Sequence, residues 1–451
     1  MMRLRLQDIA NAIDGARVGG DATFTGLSTD SRQIGEDALF VALRGPNFDG
    51  HDYLAQARAG GAAALLCEHG RLPPDVPGIE VADTRRALGE LARYWRRQLP
   101  VRLVAITGSN GKTTSKQMLA AILSRVGPTL ATRGNLNNEI GVPLTLAGLT
   151  AEHAFGVIEM GASAAGEIAW LVSLAEPDVG VVLNAGPAHL EGFGSLQGVA
   201  EAKGEMFAGL PAHATAVINA DDTFAPLWHE LAAPRHIVTV SLDGDADLRG
   251  ESLADGRLRL HWQGEQIDLG LPVPGAHNHR NALAAAAAAL VLEVPLTAVA
   301  AGLEAFEPEA GRLQLLAGPH GSRLIDDSYN ANPSSLRAGI DVLMQQGLEP
   351  WLVLGDMAEL GPESSALHAA AGHTAREAGV TRLYAVGPLS LAAVDAFGAG
   401  GRHFLDKTAL QQALQEDLHG EAAVLIKGSR SAGMDHLVRA LGAPHRGEEA
   451  S

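Results

Sequence analysis

A glycine-rich loop carries the side chains best suited to chemistry in this chain of 451 residues. An apolar run, residues 101–106, precedes the loop, and a helical pattern follows it from Lys116. Glycines let the backbone turn tightly, so that its N–H groups can face phosphate oxygens. A lysine can then reach the β- and γ-phosphates, and a threonine hydroxyl can bind Mg²⁺. The loop therefore predicts a nucleoside triphosphate site. Its residues are Thr107, Gly108, Ser109, Asn110, Gly111, Lys112, Thr113 and Thr114.

The loop departs at one position from the strict phosphate-binding pattern. That pattern has a further glycine five positions before Gly111, where this chain has Ile106. A Gly-Lys-Thr sequence by itself could be an ordinary loop. Its place between a buried strand and a helix favours phosphate binding, because the helix N-terminus adds a partial positive charge. Lys112 is accordingly a candidate catalytic residue, and Thr113 is a candidate metal ligand.

The charge balance argues against nucleic-acid binding, which needs a basic surface. The chain has 34 Lys and Arg against 52 Asp and Glu, a formal net charge of −18. An anionic substrate must then be held by local basic groups. Only five of the basic residues are lysines, so each has a raised chance of serving amine chemistry. They are Lys112, Lys116, Lys203, Lys407 and Lys427.

The apolar runs of the chain are short. None reaches the length of a membrane helix, and the first residues show no apolar core of signal-peptide length. We expect a cytoplasmic protein without membrane insertion. The single cysteine, Cys67, excludes an internal disulfide framework. It follows a small apolar run, residues 62–66, which is more typical of a buried structural thiol than of a nucleophile.

Strand-like and helix-like segments predict an α/β protein of three domains. Residues 1–83 contain short strand-like runs between Gly- and Asp-rich turns, which indicates a small α/β domain. Residues 84–310 alternate apolar strands with amphipathic helices, as in a parallel sheet with covering helices. Within this segment, residues 236–274 resemble a small antiparallel insert with Asp-Gly turns. Residues 311–451 alternate again and predict a Rossmann-like domain.

Further motifs extend the evidence over nearly the whole chain. They are residues 132–143, 159–161, 184–189, 202–205, 275–282, 326–333 and 354–361. Together with the phosphate loop, they resemble the Mur ligases and the folylpolyglutamate synthases. Each motif alone is weak evidence, whereas their order and spacing are highly specific. The last two look like one Mur branch, which adds D-alanyl-D-alanine (D-Ala-D-Ala) to UDP-N-acetylmuramoyl-tripeptide (UDP-MurNAc-tripeptide).

The resemblance implies an ATP-dependent ligase with three domains. The first binds the UDP moiety, the second binds ATP, and the third closes over the site. ATP would phosphorylate the free carboxylate of the tripeptide, and the dipeptide amine would attack the acyl phosphate to form an amide. The chemical need is clear, because a carboxylate is a poor electrophile until phosphate makes its oxygen a leaving group. Metals and lysines should surround the charge that develops there. The resemblance also implies a monomer.

Three residues are candidate metal ligands in addition to Thr113. Glu159 ends a predicted strand, where ligands meet parallel sheets, and a carboxylate suits Mg²⁺. It could instead be a solvated acid. The resemblance implies that His189 and Lys203 bind a second Mg²⁺, with Lys203 carbamylated by CO₂ to N6-carboxylysine. Both would then be catalytic residues. Lys203 could otherwise be a solvated helix lysine, and His189 a surface histidine.

The remaining site residues rest on the resemblance. It implies that Asn281 contacts adenine, although Asn281 could also be a plain helix cap. It further implies that Arg312 closes on the ATP phosphates and that Asp327 binds ribose. Candidate residues for the UDP-linked substrate are Ser31, Arg32 and Asn138. Residues 427–430 could face the dipeptide or the phosphates, or form a simple turn.

Three rival interpretations remain open at this point. The ligase that adds the third amino acid would be expected to have Asp-Tyr-Ala-His-Thr in place of residues 327–332, and this chain does not. A folylpolyglutamate synthase is disfavoured, because residues 1–83 resemble a UDP-binding domain. A non-catalytic nucleotide-binding relative would not need Lys112, Glu159, His189 and Lys203 together.

Overall fold

The computed structural model describes residues 2–187 and 190–442. Three sheets of five, nine and six strands, flanked by helices, confirm the predicted α/β class. The first sheet has the order β2-β7-β6-β5-β4, and β1 pairs with β3 separately. Its elements are β1 (Leu4–Arg5), α1 (Leu6–Ala10), β2 (Arg17–Gly19), β3 (Thr23–Phe24), β4 (Leu27–Ser28), β5 (Leu39–Val41), α2 (Leu54–Ala59), β6 (Ala64–Glu68) and β7 (Gly78–Val81).

Cys67 lies on β6 within the core of this first sheet and is fully buried. Burial raises the pKa of its thiol to about 12. The thiolate, which is the reactive form, is therefore scarce at ordinary pH. The structural interpretation of this cysteine is confirmed.

The second sheet forms the centre of the molecule. Its nine strands have the order β16-β15-β14-β13-β12-β11-β8-β10-β9. The strands are β8 (Arg102–Thr107), β9 (Thr129–Ala131), β10 (Phe155–Glu159), β11 (Val179–Val182), β12 (Thr215–Asn219), β13 (His236–Ser241), β14 (Leu248–Ser252), β15 (Leu258–Trp262) and β16 (Glu265–Leu269). The helices are α3 (Thr84–Arg96), α4 (Lys112–Leu123), α5 (Gly141–Ala147), α6 (Glu167–Ala175), α7 (Leu190–Phe193), α8 (Leu196–Ala208), α9 (Ala225–Ala232), α10 (Ala276–Val291) and α11 (Leu296–Glu304).

Both faces of this sheet are covered, as the apolar strands require. On β8, Val104 and Ile106 pack into one core with α4 and α10. The alternate residues Leu103 and Ala105 pack into a second core with α6 and α8. This two-sided burial holds the carboxyl end of β8, where the phosphate loop begins, at a fixed place.

The predicted antiparallel insert, residues 236–274, is wrong in part. β13 runs parallel to β12, and β14 runs parallel to β13, so both continue the central sheet. Only β14, β15 and β16 pair antiparallel, and the Asp255-Gly256 turn joins the first two of them. The earlier Asp243-Gly244 pair joins parallel strands and forms no hairpin. An Asp-Gly pair favours a turn, but it does not fix which strand the chain pairs with afterwards.

The third sheet has the order β17-β18-β22-β19-β20-β21, with only β17 antiparallel. The strands are β17 (Gln314–Ala317), β18 (Arg323–Asp327), β19 (Glu349–Gly355), β20 (Arg382–Val386), β21 (Gly401–Phe404) and β22 (Ala422–Lys427). The helices are α12 (Pro333–Met344), α13 (Ser364–Ala378), α14 (Leu391–Phe397), α15 (Lys407–Asp417) and α16 (Asp435–Leu441). Short 3₁₀ turns are Gly50–Tyr53, Pro319–Gly321, Gly361–Glu363 and Arg430–Ala432.

Helix α3 connects the first two sheets. Asp83 accepts hydrogen bonds from the first N–H groups of the helix and so fixes its start. Leu88 and Leu91 belong to the core of the first sheet, whereas Ala92 belongs to the central core. Because α3 contributes to both cores, we propose the domain boundary after residue 83 as a division within a shared packing region. The second domain boundary, after residue 310, is likewise a proposal. In the part of the chain that is described, no helix is long and apolar enough to cross a membrane.

Candidate active site

The carboxyl ends of two parallel sheets meet at one cleft of about 870 Å³. Lys112 and Glu159 reach it from β8 and β10 of the central sheet. Asp327 and Lys427 reach it from β18 and β22 of the third sheet. Ligands of open α/β sheets bind at such carboxyl edges. The cleft therefore combines the predicted phosphate loop with residues that lie more than 200 positions later.

The phosphate loop has the geometry of an anion cradle. Helix α4 begins at Lys112, four residues earlier than predicted, directly after Gly111. Gly111 has a φ of 83°, and no side chain caps the helix. The first N–H groups of a helix have no intrahelical partner, so they are available to an anion. A Cβ on Gly111 would collide with the side chain of Asn281. Only glycine fits here.

Lys112 is held against its own loop. Its Nζ donates to the carbonyl oxygen of Gly108 at 2.6 Å and to that of Ser109 at 3.4 Å. Burial lowers the pKa of this amine, and the nearby charge of Arg312 lowers it further, while Glu159 opposes both effects. A triphosphate beside Lys112 would supply the negative charge that stabilises its protonated form.

Asn110 makes contacts that the sequence does not reveal. Its backbone N–H donates to Asn184 Oδ1 at 3.0 Å, and its carbonyl accepts from Asn184 Nδ2 at 3.1 Å. Its side chain donates to Ser334 Oγ at 2.9 Å and accepts from Asn332 Nδ2 at 2.8 Å. Asn332 also caps α12. The side chain of Asn110 thus joins the phosphate loop to the third sheet's first helix.

Glu159 is suited to a metal ion. The residue is 2% exposed, and Asn137 Nδ2 donates to its Oε1 at 2.8 Å. Its Oε2 is buried without a hydrogen-bond partner, although Lys116 Nζ lies 3.4 Å away, within ion-pair distance. An unsatisfied buried carboxylate oxygen is costly unless a cation completes it. Mg²⁺ fits, because it prefers a few protein oxygens together with waters and substrate phosphates.

Thr113 lines the same cleft as Glu159, and its hydroxyl already accepts a hydrogen bond. Arg312 donates to Thr113 Oγ1 at 3.2 Å and lies over the Tyr329 ring, 4.0 Å from its centroid. The Nε of Arg312 is buried without a partner. Arg312 thus reaches from the third sheet to the phosphate loop, as the resemblance implies, with donor capacity left for an anion. Within the described residues, no group of three His, Cys, Asp or Glu is arranged to hold a metal.

Lys203 lies on α8 and is 2% exposed, so it is no solvated surface lysine. Its Nζ lies 5.3 Å from the centroid of the Phe193 ring. Burial lowers its pKa to about 7, and the charge of Lys112 adds to that shift. The described residues that line the cleft do not include Lys203. His189, its predicted partner in metal binding, lies outside the described residues.

Asp327 and Lys427 form a buried ion pair at the cleft. Lys427 Nζ also donates to the carbonyl oxygen of Asn330 at 2.9 Å. Burial raises the pKa of Asp327, while the charge of Lys427 lowers it. The predicted ribose-binding carboxylate therefore lines the cleft, but a lysine 100 residues away already contacts it.

Asn281 also lines the cleft, but it is not a helix cap. Helix α10 begins at Ala276, so Asn281 lies in its second turn. Its Nδ2 donates to Asn278 Oδ1 at 3.2 Å, and its carbonyl accepts from Ser115 Oγ at 3.4 Å. The alternative of a plain cap is wrong, because the helical pattern starts five residues earlier than the asparagine.

Two of the three candidate residues for the UDP-linked substrate lie outside the cleft. Ser31 Oγ donates to Gln56 Oε1 at 3.2 Å, and Arg32 pairs with Asp30 at 2.7 Å on the surface. Neither residue lines the cleft, whereas Asn138 does. Asn138 Oδ1 accepts from the N–H of Gly141 at 2.9 Å and so supports the start of α5.

Sequence reasoning missed three residues of the site. Asn137 binds Glu159, and Lys116 pairs with it. The rarity of lysine was a signal for Lys116, but nothing in the sequence connects it with Glu159. His277 lines the cleft, and burial lowers its pKa to about 4, helped by the charge of Lys427. It is a neutral hydrogen-bonding group at ordinary pH.

Comparison with protein families matches three consecutive parts of the chain. Residues 23–96 match the family model "Mur ligase family, catalytic domain", residues 106–289 the "Mur ligase middle domain", and residues 311–430 the "Mur ligase, glutamate ligase domain". These matches contain the phosphate loop, Glu159 and the Asp327–Lys427 pair.

Individual relatives are similar over their whole length. The chain is 45% identical to the UDP-N-acetylmuramoyl-tripeptide–D-alanyl-D-alanine ligase of Escherichia coli strain K12, over 98% of this chain and 99% of that protein. It is 32% identical to the ligase of the same name from Bacillus subtilis, over 98% and 99%.

Solved structures give the same result. A crystal structure of MurF from Acinetobacter baumannii superposes with a TM-score of 0.90 at 34% identity, covering 97% of this chain and 98% of that one. MurF ligase from Thermotoga maritima in complex with ADP gives 0.83 at 26% identity, over 92% and 96%. A UDP-N-acetylmuramoyl-L-alanyl-D-glutamate–2,6-diaminopimelate ligase gives 0.56 at 20% identity, over 97% and 99%, which shows a shared fold only.

Proposed function

This chain belongs to the Mur ligase family, and on that basis we propose that it joins D-alanyl-D-alanine to UDP-N-acetylmuramoyl-tripeptide at the expense of ATP. One observation supports this most directly. A single cleft joins an anion cradle at Gly111 and Lys112 to Arg312 and Asp327 of another sheet. A site that is built from two sheets can close around a reactive phosphate and exclude water.

The reaction needs two bond exchanges. A carboxylate oxygen of the tripeptide attacks the γ-phosphorus of ATP, the bond to the β-phosphate oxygen breaks, and ADP leaves. The dipeptide nitrogen then attacks the acyl carbon, the carbon–oxygen bond to phosphate breaks, and inorganic phosphate leaves with the electron pair. The nitrogen loses a proton to the surroundings. Negative charge gathers on phosphate oxygens in the first step, where Lys112 and Arg312 can stabilise it.

Other residues of this chain bind the metal and the different parts of the two substrates. The N–H groups at the start of α4 hold phosphate oxygens. Glu159 and Thr113 would hold Mg²⁺, which shields the triphosphate charge and polarises its oxygens. Asn281, beside Gly111, is the proposed contact for adenine, and Asp327 for ribose. Asn138 faces the tripeptide end of the UDP-linked substrate, and Ser31 and Arg32 receive its uridine diphosphate.

Carbamylation of Lys203 is part of the proposal. The reaction with CO₂ needs a neutral amine, and a pKa of about 7 makes that form abundant at ordinary pH. A carbamate would change the buried amine into an anionic oxygen ligand for the second Mg²⁺, which His189 is also proposed to bind. In ¹³C-labelled bicarbonate, the protein should show one carbamate NMR signal that Lys203→Ala removes. A signal that persists in this variant would assign the carbamate to another amine and contradict the proposal.

The central test is substrate-dependent phosphate release. With ATP, Mg²⁺ and UDP-MurNAc-tripeptide, phosphate release should depend on added D-alanyl-D-alanine, and the product mass should increase by the dipeptide less one water. Lys112→Ala serves as the inactive control, because it removes the amine from the phosphate loop. Absence of dipeptide-dependent turnover in the unaltered protein would refute the assignment.

A cytoplasmic location follows from the substrates, because ATP and UDP-linked sugars are cytoplasmic metabolites. A monomer is proposed from the resemblance to the Mur ligases alone. Light scattering after size exclusion should give a mass near 46.8 kDa, and twice that value would contradict the monomer.

A further inference from the structure

The proposed function requires a site for the second substrate, and the inference below rests on that function. D-alanyl-D-alanine carries an ammonium group at one end and a carboxylate at the other. An extended dipeptide spans about 7 Å. A subsite for it needs an anionic and a cationic side chain that can reach its two ends, at a place from which the nitrogen can still approach the acyl carbon.

The loop after β19 is held rigidly by its own contacts. Asp356 Oδ1 accepts from the N–H groups of Leu389 at 3.1 Å and Ser390 at 2.8 Å. The N–H of Met357 donates to Nε2 of the buried His368 at 2.9 Å. These bonds fix the loop on both sides of its turn. Glu359 then stands exposed at the cleft, with a φ of 60°.

The loop after β22 lies directly beside it. β19 and β22 are neighbouring parallel strands, with Leu354 opposite Lys427. The N–H of Ser429 donates to the carbonyl oxygen of Asp356 at 2.9 Å, which joins the two loops. Arg430 follows, lines the cleft, and has a side chain that is 68% exposed. Neighbouring strands lie about 4.8 Å apart, so side chains from the two loops can reach the same ligand.

The two residues carry charges opposite to those at the two ends of such a ligand. The Arg430 guanidinium lies 5.6 Å from the centroid of the Tyr329 ring and 3.7 Å from the carboxylate of Asp435. A guanidinium binds a carboxylate through two parallel hydrogen bonds. The carboxylate of Glu359, on the neighbouring loop, can pair with an ammonium group.

We infer that Glu359 and Arg430 form the acceptor subsite, where Glu359 receives the ammonium group of the incoming dipeptide and Arg430 its terminal carboxylate. Glu359 acts in recognition. The bound ammonium loses a proton before its nitrogen attacks the acyl carbon. Arg430 fixes the distance from that nitrogen to the far end of the ligand, and so selects a dipeptide over a single amino acid.

Steady-state kinetics on the full chain tests the subsite. Glu359→Gln and Arg430→Ala should each raise KM for D-alanyl-D-alanine by about 10- to 100-fold, as expected for the loss of a hydrogen bond to a charged group. KM for ATP should stay within about twofold of the unaltered value. Matched controls are Glu363→Gln and Arg439→Ala, which change exposed residues outside the cleft. An unchanged dipeptide KM in both site variants would overturn the inference.

A dipeptide analogue separates the two roles. The C-terminal amide D-alanyl-D-alaninamide lacks the carboxylate, so the unaltered enzyme should use it at least tenfold less well, as kcat/KM. Arg430→Ala should lose this preference, whereas Glu359→Gln should keep it. Full preference in Arg430→Ala would refute the assignment of that residue. If the proposed function itself is wrong, the result is different, because the unaltered protein would then turn over neither D-alanyl-D-alanine nor its amide.

Discussion

The side-chain amides of Asn110 and Asn332 are hydrogen-bonded to each other, with Asn332 Nδ2 donating to Asn110 Oδ1 at 2.8 Å. Asn110 belongs to the phosphate loop, and Asn332 caps the first helix of the third sheet, 222 residues later. Ser334 Oγ closes the group by accepting from Asn110 Nδ2 and donating to Asn332 Oδ1. The loop that should hold the nucleotide is thus tied to the first helix of the third sheet.

Replacing Asn110 by alanine should weaken this tie without removing a phosphate ligand. Two neutral hydrogen bonds are lost, at about 1 kcal/mol each, so kcat/KM for ATP should fall by roughly 30-fold. Ser334→Ala removes one of these bonds and should cost about fivefold. Small-angle scattering without nucleotide should show a larger radius of gyration for Asn110→Ala. A normal kcat/KM in this variant would show that the contact is incidental.

Gly111 is predicted to tolerate no side chain. Its φ of 83° disfavours alanine, and the new Cβ would collide with Asn281. Gly111→Ala should abolish measurable ATP binding by calorimetry. Gly256 is a matched control, because its φ is 84° and a Cβ there meets no atom within 4 Å. Gly256→Ala should cost about 1–2 kcal/mol of stability and leave ATP binding intact.

The collision at Gly111 can also be relieved from the other side. Asn281→Ala removes the side chain that a Cβ would meet, so adding it to Gly111→Ala should restore part of the ATP affinity. If the double variant binds no better than the single one, backbone strain and not the collision is the cause.

Glu159→Gln should raise the Mg²⁺ concentration for half-maximal activity by at least about tenfold, because a neutral amide is a weaker ligand than a carboxylate. The variant also leaves Lys116 buried without its partner, which destabilises the fold by itself. Thermal unfolding therefore accompanies the assay, and Lys116→Met is the control for a lost ion pair. An unchanged Mg²⁺ requirement would remove Glu159 from the metal site.

His277 should make stability depend on pH. Burial lowers its pKa from 6.5 to about 4 in the folded protein. Between these values the unfolded chain takes up a proton and the folded one does not, so stability is fully present above pH 6.5 and is lost as pH falls toward 4. The loss is roughly 3 kcal/mol for this residue. Urea titrations at pH 7.5 and 4.5 should show a smaller difference for His277→Gln than for the unaltered protein. An equal difference would contradict this pKa.

Local features could be predicted from the sequence. Strand β10 covers the apolar run 155–158 and ends at Glu159, and the alternating helices and strands follow their hydrophobic patterns. The phosphate loop was recognisable because its function depends on consecutive backbone atoms. The prediction of an antiparallel insert at residues 236–274 was wrong in part, because strand direction depends on pairing partners, which no local pattern specifies.

The sequence by itself determined the residues that chemistry requires: the glycines and lysine of the phosphate loop, the strand-end Glu159, and Lys203 as one of only five lysines. Only the tertiary structure decided their partners. It tied Asn110 to Asn332, joined Asp327 to Lys427, and placed Glu359 beside the loop of Arg430. The physical reason is that such contacts join residues about 70 to 220 positions apart, and their energies arise only when the packed sheets bring those residues together.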